Sequence, residues 1–398
     1  MKSLCLLFLL LIVSCNKATA PTSTNANQEE FTDFIKQIES EYIYNSDKPT
    51  LVQCLKDKYQ KDVDTITAPY YKVLFYETIL NEFHDSHISL NTNTDKSYRL
   101  RSPIYVALHE NKFYVKNIFS SQLNESVSIH ILNSEIESFN GIEFNEVIDQ
   151  FSSKCIDKTD PVIREWIANK IIAGKRSEPR ILTISSDLND SFTFDVDALE
   201  LKQDTTNLSS EITDDIGYIR INNTLGNSQL VDDFDRAIDD LMNTQALVLD
   251  LRNTPNGGNT DVAEPIMGRF TSETIGYQVC ENKNTRYTKE VAPRKKTYTQ
   301  PVYVLVGRWT GSMGEGMAIG FNGMNRGTIV GTEMNRLAGG VKTIKLLNSN
   351  FGFHLPFEKM YHINGTLRED FVPEEYVNQI NTTEDDYLNH VIRMIKSR

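Results

Sequence analysis

The sequence is poor in cysteine and has no cysteine pattern that binds metal. Only five of its 398 residues are cysteine, and none lies in a CxxC pair or beside a histidine-rich stretch. This spacing excludes a disulfide-dense scaffold and argues against a structural zinc site. We expect Cys54, Cys155 and Cys280 to be mostly buried apolar residues. The alternative, in an oxidising compartment, is one disulfide between two of them.

Positive charge is also scarce. Lysine and arginine number 41 against 54 acidic residues, which gives a formal net charge of −13. A phosphate-binding surface would need a local basic patch to overcome the negative electrostatic field of the whole protein. No GxxxxGK[ST] loop occurs. We therefore expect no nucleic-acid partner, no cofactor and no metal.

Long apolar runs are missing except at the N-terminus. The run from Leu4 to Val13 is short for a membrane span and suits a secretory signal. Because it ends in "IVSC", it resembles a bacterial lipobox, with a signal over residues 1–15 and a lipid on Cys15. The alternative is an ordinary leader cleaved near "ATA", residues 18–20. We expect a lipoprotein of the bacterial cell envelope, at the outer membrane and facing the periplasm or the cell surface.

The chain after this signal divides into a polar tether and two regions of different periodicity. Residues 16–28 are polar and lack periodicity, as a flexible tether would. Apolar residues recur at helical spacing over residues 29–96, which predicts a small helical bundle. Residues 97–205 contain short β-like runs and an Asn140-Gly141 turn that leads into a helix. This order resembles part of a PDZ domain, which binds the C-termini of polypeptides by adding a strand to an open sheet edge; a generic α+β insert without a ligand is the alternative.

Residues 206–398 alternate long apolar strands with amphipathic helices. The alternation predicts a mostly parallel sheet covered by helices, in which functional groups lie at the turns from strand to helix. One such turn contains Gly257 and Gly258, which allow the backbone to approach a ligand closely. Another, "RWTGSMGEGMA", places Ser312 at the start of a helix, where free N–H groups and the helix dipole stabilise negative charge.

The local sequence allows two interpretations of Ser312. With Glu315 it forms the Ser-x-x-Glu spacing of a capping box, which requires no chemistry. Gly314 and Gly316 each cost a helix roughly 1 kcal/mol relative to alanine, and a plain cap gains nothing from them. The stretch therefore predicts either an N-cap or a nucleophile.

Five segments resemble, in order and spacing, the C-terminal-processing or tail-specific serine peptidase family, which includes the tricorn core and the retinoid-binding repeats. They are "GYIRI", "ALVLDLRNTPNGGN", "PVYVLVGRWTGSMGEGMA", "GTIVGT" and "FVPEEYV". The resemblance implies a multidomain α/β protein with an N-terminal helical bundle, a PDZ-like α+β module and a ClpP/crotonase-like ββα spiral as the catalytic core. It implies Ser312 as the nucleophile, the Met313 amide with Gly257 or Gly258 as the oxyanion hole, and Glu315 as a supporting cap.

The general base is the point at which this chain departs from the tail-specific branch. That branch uses a lysine, and here Leu337 or Gly340 falls at the corresponding place. The nearest lysine is Lys342. Because it lies in a strand together with Thr343 and Lys345, we expect it at the surface.

The tricorn-like branch uses a histidine from a Ser-His pair at the end of its helical region. This chain has "EFHDSHISL" there, so the resemblance implies His87 as the base and Ser86 as the residue that orients it. His84 is the local competitor. The more distant alternatives are His354 and His362.

The resemblance also implies an acidic group near the last motif. "LREDFVP" leaves both Glu369 and Asp370 open, with Glu369 preferred. We predict a secreted, lipid-anchored serine endopeptidase that cleaves extended or C-terminal segments of peptides or unfolded proteins. The alternatives are a catalytically silent peptide- or lipid-binding protein on the same scaffold, and an envelope assembly factor in which the PDZ-like module is the working part. The oligomeric state is not predicted.

Overall fold

The computed structural model describes residues 23–119, 131–185, 191–199, 201–380 and 383–398. The predicted signal, with Cys15, lies outside these residues, as does the tether before residue 23. Within the part of the chain that is described, no helix is both long enough and apolar enough to span a bilayer.

The α-helices are α1 Ser23–Glu41, α2 Leu51–Tyr59, α3 Pro69–Asn81, α4 Phe144–Asp149, α5 Pro161–Ala173, α6 Gln229–Asp240, α7 Thr260–Met267, α8 Met313–Gly323 and α9 Asp386–Lys396. The strands are β1 Ser89–Leu90, β2 Ile104–His109, β3 Lys112–Ile118, β4 Glu135–Phe139, β5 Ile142–Glu143, β6 Ile181–Ser185, β7 Ser191–Asp195, β8 Leu208–Thr213, β9 Ile216–Ile221, β10 Ala246–Asp250, β11 Ile275–Asn282, β12 Arg286–Val291, β13 Val302–Val306, β14 Thr328–Gly331, β15 Gly340–Lys345, β16 Gly352–His362 and β17 Glu375–Tyr376.

Helix α1 begins earlier than the sequence predicts. It starts at Ser23, so the prediction of a tether as far as residue 28 is wrong for residues 23–28. The physical reason is a tertiary anchor that local polarity does not reveal. The buried side chain of Asn27 donates a hydrogen bond to the Ile66 carbonyl at 3.1 Å, and Gln28 donates to Asp64 at 2.8 Å.

The N-terminal helices α1 to α3 share one hydrophobic core with strands of the C-terminal region. Phe34 of α1 packs on Phe353 of β16 with ring centroids 5.1 Å apart. Strand β1, directly after α3, pairs antiparallel with β16 in a sheet that also contains β11, β12 and β15. The segment that follows α3 is therefore fixed against the C-terminal region.

The middle module comprises β2 to β7 with α4 and α5. Its sheet has the order β2-β3-β4-β6-β7, and β5 pairs with β4. The outer edge of β2 is satisfied by α5. The N–H of Val106 donates to Asn169 at 2.9 Å, the N–H of Leu108 donates to Glu165 at 2.9 Å, and Asn169 donates back to the Val106 carbonyl at 2.8 Å. Helix side chains therefore occupy these backbone groups of β2, which a strand added at this edge would need.

A disulfide joins α2 to the middle module. It links Cys54 to Cys155, 101 positions later, so the expectation that both are simply buried apolar residues is wrong. The pairing depends on two distant segments meeting, which sequence spacing does not show. Cys280 is free and buried, as expected.

The C-terminal region contains the predicted parallel sheet. Its strands have the order β17-β14-β13-β10-β9-β8; β8 is antiparallel to β9, and the others run parallel. Helices α6, α7 and α8 cover one face and α9 the other. Because β10 and β13 are parallel neighbours, the turns after them meet at one edge, where Thr254 and Thr310 form a bridge. These turns contain the two glycines and Ser312.

Candidate active site

Ser312 lies at the N-cap of α8 in a strained conformation. Its φ is 52° and its ψ is −109°, whereas an ordinary N-cap residue has extended backbone angles. Strain of this kind at a residue other than glycine persists only where neighbours enforce it. Here Gly311 donates its N–H to the Thr254 carbonyl at 3.2 Å, and Glu315 accepts the Ser312 N–H at 2.7 Å. The Glu315 half of the predicted capping box is present, and Ser312 has a geometry that capping does not require.

His87 reaches Ser312 from a position 225 residues earlier. Its Nε2 lies 3.2 Å from Ser312 Oγ, which is hydrogen-bonding distance for a base and its nucleophile. His87 stands in the turn between α3 and β1. The pairing of β1 with β16 holds that turn against the C-terminal region, so the structure brings together the two residues that the resemblance implies.

The other ring nitrogen of His87 determines the tautomer. Its Nδ1 lies 2.9 Å from the Ala338 carbonyl, and a carbonyl only accepts hydrogen bonds. The proton is therefore assigned to Nδ1, which leaves Nε2 free to accept a proton from Ser312. Burial, followed by the positive charge of Arg368, lowers the pKa of His87 to about 4. The imidazole is neutral near pH 7 and available as a base.

The glycine turn lies directly against the nucleophile. A Cβ on Gly257 would lie 2.5 Å from the Cβ of Ser312. The Gly257 N–H donates to the Thr254 carbonyl at 3.0 Å, so it is already used. Among the hydrogen bonds of the described residues, none is donated by the N–H of Gly258 or of Met313. Of the two predicted glycines, Gly258 therefore has the free donor to combine with Met313.

The predicted third groups do not contact the His87 ring. Ser86 Oγ accepts a hydrogen bond from the Trp166 indole at 3.2 Å, so the prediction that Ser86 orients His87 is wrong; the Ala338 carbonyl occupies that position. Glu369 accepts from the Tyr44 hydroxyl at 2.5 Å. Asp370 is exposed and accepts a long hydrogen bond from Arg336 at 3.4 Å.

The alternative bases have other partners. Lys342 forms an ion pair with Glu41, as its expected surface position suggests. His354 contacts Thr343 at 3.2 Å, and His362 accepts the Asn364 N–H at 3.1 Å. The side chain of His84 is largely buried, and its Nδ1 has no hydrogen-bond partner among the described residues.

The middle module contacts both turns of the site. Arg101 donates a hydrogen bond to Asn256, next to the glycines. The Trp309 indole donates to the Ser102 carbonyl at 2.9 Å, and the Arg308 guanidinium lies 4.0 Å from the centre of the Tyr105 ring. Sequence reasoning missed these contacts, as it missed Ala338 and Arg368, because no local pattern marks a residue that acts through tertiary packing.

Comparison with known proteins finds one matching family model and several structures of similar fold. Residues 215–374 match the model of peptidase family S41. Mature CPAF complexed with lactacystin has a TM-score of 0.63 at 12% identity, over 94% of this chain and 98% of that chain. The photosystem II D1 C-terminal processing protease has a TM-score of 0.57 at 14% identity, over 93% and 97%. A putative peptidase from Parabacteroides merdae has a TM-score of 0.57 at 14% identity, over 94% and 97%. No curated sequence matches this protein.

At these identities the solved structures establish the fold alone. The sequence match to the family model, which spans Ser312, adds the class of protein. The protein is a serine-type peptidase, a hydrolase. Residues 215–374 resemble the domain that defines peptidase family S41.

Proposed function

We propose that the protein is a serine endopeptidase in which Ser312 is the nucleophile and His87 the general base. The observation that carries this proposal is the 3.2 Å contact between His87 Nε2 and Ser312 Oγ. Ser312 Oγ attacks the scissile carbonyl carbon while its proton passes to His87 Nε2. The imidazolium then protonates the leaving amine. A water molecule, deprotonated by the same nitrogen, hydrolyses the acyl-enzyme.

The tetrahedral intermediate needs donors for its negative oxygen. The free N–H groups of Gly258 and Met313 are the donors that we assign to this oxyanion hole. Met313 is the first residue of α8, so the dipole of that helix adds to the stabilisation. The N–H of Ser312 is excluded because Glu315 accepts it.

A histidine base supports a relationship with the tricorn-like branch rather than with the Ser-Lys branch. Lys342 is engaged with Glu41, whereas His87 contacts the nucleophile. A lysine base would have to be desolvated to lose its proton near neutral pH. A buried neutral imidazole has no such requirement.

We assign extended or C-terminal segments of peptides and unfolded proteins as substrates. One structurally similar protein is named as a C-terminal processing protease, which supports this class. The β2 edge of the middle module is occupied by Glu165 and Asn169, so we do not assign substrate capture to that edge.

We also propose that the enzyme is a secreted lipoprotein of the bacterial cell envelope, with lipid on Cys15. The disulfide between Cys54 and Cys155 supports an oxidising compartment. Mass spectrometry of the native N-terminus should find an acylated cysteine, and Cys15→Ala should release the protein from membranes. An unmodified N-terminus near Pro21 would contradict the anchor.

The decisive test of the peptidase assignment is covalent labelling of Ser312 by a fluorophosphonate. Wild-type protein should react at Ser312, and Ser312→Ala should lose turnover on the order of 10⁶ in kcat while it remains folded. Ser86→Ala is the matched control, since its hydroxyl contacts Trp166. If folded wild-type protein is not labelled and cleaves no peptide, a silent binding protein on this scaffold is the better assignment.

A further inference from the structure

The loop Arg336–Gly339 is bound to the nucleophile's helix by one buried carboxylate. Glu315 is fully buried, and its Oε2 accepts the Ser312 N–H at 2.7 Å. Its Oε1 accepts the N–H of Arg336 at 2.8 Å and that of Leu337 at 3.3 Å. A single carboxylate therefore connects the backbone of the nucleophile to the beginning of this loop.

The other end of the loop is bound by a buried guanidinium. Arg368 is 3% exposed, and it donates hydrogen bonds to the Leu337 carbonyl at 2.7 Å and to the Gly339 carbonyl at 2.6 Å. None of the ion pairs formed by the described residues includes Arg368. A buried cation that forms no ion pair is costly to retain, and the two backbone carbonyls offset part of that cost. Its Nη1 donates to Met360 Sδ at 3.0 Å, and its Nε has no hydrogen-bond partner among the described residues.

Between these two anchors the loop presents the Ala338 carbonyl to His87. Ala338 lies between the carbonyls that Arg368 binds, and its own oxygen lies 2.9 Å from His87 Nδ1. We propose that Arg368 and Glu315 are positioning residues that hold the Ala338 carbonyl against His87, so that a backbone oxygen performs the orienting role that a carboxylate performs in a catalytic triad. This inference rests on the proposed Ser312–His87 chemistry and names what aligns it.

The groups that face His87 make the arrangement measurable. Arg368 and His354 face the ring as cationic or ionisable groups, Ser312 contacts Nε2, and Asp85 accepts the backbone N–H of His87 at 2.8 Å. Without the Arg368 charge the imidazolium becomes easier to form. Without its hydrogen bonds the Ala338 carbonyl is no longer fixed. Loss of Arg368 therefore changes both the titration and the tautomer of His87.

The experiment follows His87 by NMR in the full-length protein labelled with ¹³C and ¹⁵N in its seven histidines. The spectrum of His87→Gln identifies the resonance. In the wild type we expect titration near pH 4 and a proton on Nδ1. In Arg368→Met we expect the midpoint to rise by about one pKa unit and the tautomers to mix. Its kcat should fall by about tenfold or more with KM unchanged, because a misaligned base slows chemistry without weakening binding.

Arg326→Met is the matched control. Arg326 also donates to backbone carbonyls, those of Phe270 at 2.8 Å and Tyr298 at 2.9 Å, but it contacts neither Ser312 nor the loop. It should lose stability and leave the His87 titration and kcat unchanged. Arg368→Lys, which keeps the charge and some donors, should restore part of the loss.

A folded Arg368→Met protein with wild-type titration, tautomer and kcat would overturn the proposal. If that variant does not fold, Arg368→Lys and Glu315→Gln decide, and a wild-type tautomer together with wild-type kcat in both would overturn it equally. The NMR measurement does not depend on turnover. A protein that fluorophosphonates do not label, yet whose His87 responds to Arg368, would refute the peptidase function and leave the positioning intact.

Discussion

The indole of Trp309 stacks on the ring of Phe119, with centroids 4.8 Å apart and planes inclined by 11°. Trp309 is three residues before Ser312, and Phe119 directly follows β3 of the middle module. The turn that presents the nucleophile is thus packed against a different part of the molecule. This contact, like the hydrogen bond from Trp309 to the Ser102 carbonyl, gives the middle module a part in shaping the site.

Trp309→Ala should destabilise the protein by about 3–5 kcal/mol, the usual cost of removing a large buried aromatic side chain. Trp309→Phe keeps a ring for Phe119 but leaves the Ser102 carbonyl without its donor, at a cost of roughly 1–3 kcal/mol. Urea unfolding measures both variants. If the alanine variant is as stable as the wild type, this packing does not support the turn.

His87→Ala should remove nearly all turnover, since among the described residues no other base contacts the Ser312 hydroxyl. His84→Ala is the matched control, because His84 is also largely buried, in the same turn, and burial also lowers its pKa to about 4. It should keep most of the activity. Initial rates on an unstructured peptide measure the difference. An active His87→Ala protein would reject the assigned base.

The activity should rise around pH 4 and then remain level towards neutrality. An unperturbed imidazole would place this rise between about pH 6 and 7, but burial and Arg368 lower the pKa of His87 to about 4, and the base acts only when unprotonated. A profile of kcat/KM against pH tests this. A midpoint near 6.5 would mean that the ring is solvated in solution.

The same depressed pKa predicts a pH dependence of stability. Between about pH 4 and 6.5 the unfolded protein binds the His87 proton and the native protein does not, so the stability contributed by this residue is lost as the pH falls through that window. His87→Gln and His84→Gln should each flatten the stability slope. His87→Gln should also abolish the peptidase activity, whereas His84→Gln should not.

Gly257→Ala should lower kcat strongly. The added methyl would lie 2.5 Å from the Cβ of Ser312 and 3.1 Å from its Oγ, so the nucleophile must shift. Gly141→Ala is the control, because Gly141 has a comparable φ of +79°, against +58° for Gly257, and no atom within 4 Å of the new Cβ. Both variants incur similar backbone strain. Equal activities would show that the glycine turn is not adjacent to Ser312 in solution.

Replacement of Cys54 and Cys155 by serine should lower the free energy of unfolding. The disulfide closes a loop across 101 positions, for which chain entropy predicts roughly 4–5 kcal/mol. Guanidinium unfolding with and without a reductant measures the effect. Cys280→Ala, which keeps the disulfide, should remain sensitive to the reductant. A wild-type protein that the reductant does not affect would argue against the bond.

The sequence by itself determined the local features of the C-terminal region. Alternating apolar strands and helices predicted the parallel sheet, and two strand-to-helix turns with Gly257, Gly258 and Ser312 predicted where the site lies. These signals are local, because a turn with positive φ favours glycine and a helix N-terminus favours serine in any fold. The resemblance added His87, which composition and spacing do not single out.

Only the tertiary structure decided which groups complete the site. The partner of His87 Nδ1 is the Ala338 carbonyl, and every residue has a carbonyl, so no residue type marks it. Arg368 appears in the sequence as one more charge beside Glu369. On α5, Glu165 and Asn169 look like solvated helix residues until β2 is placed beside them. Each of these roles depends on which segments the fold brings together, and that is a property of long-range packing, which local sequence does not encode.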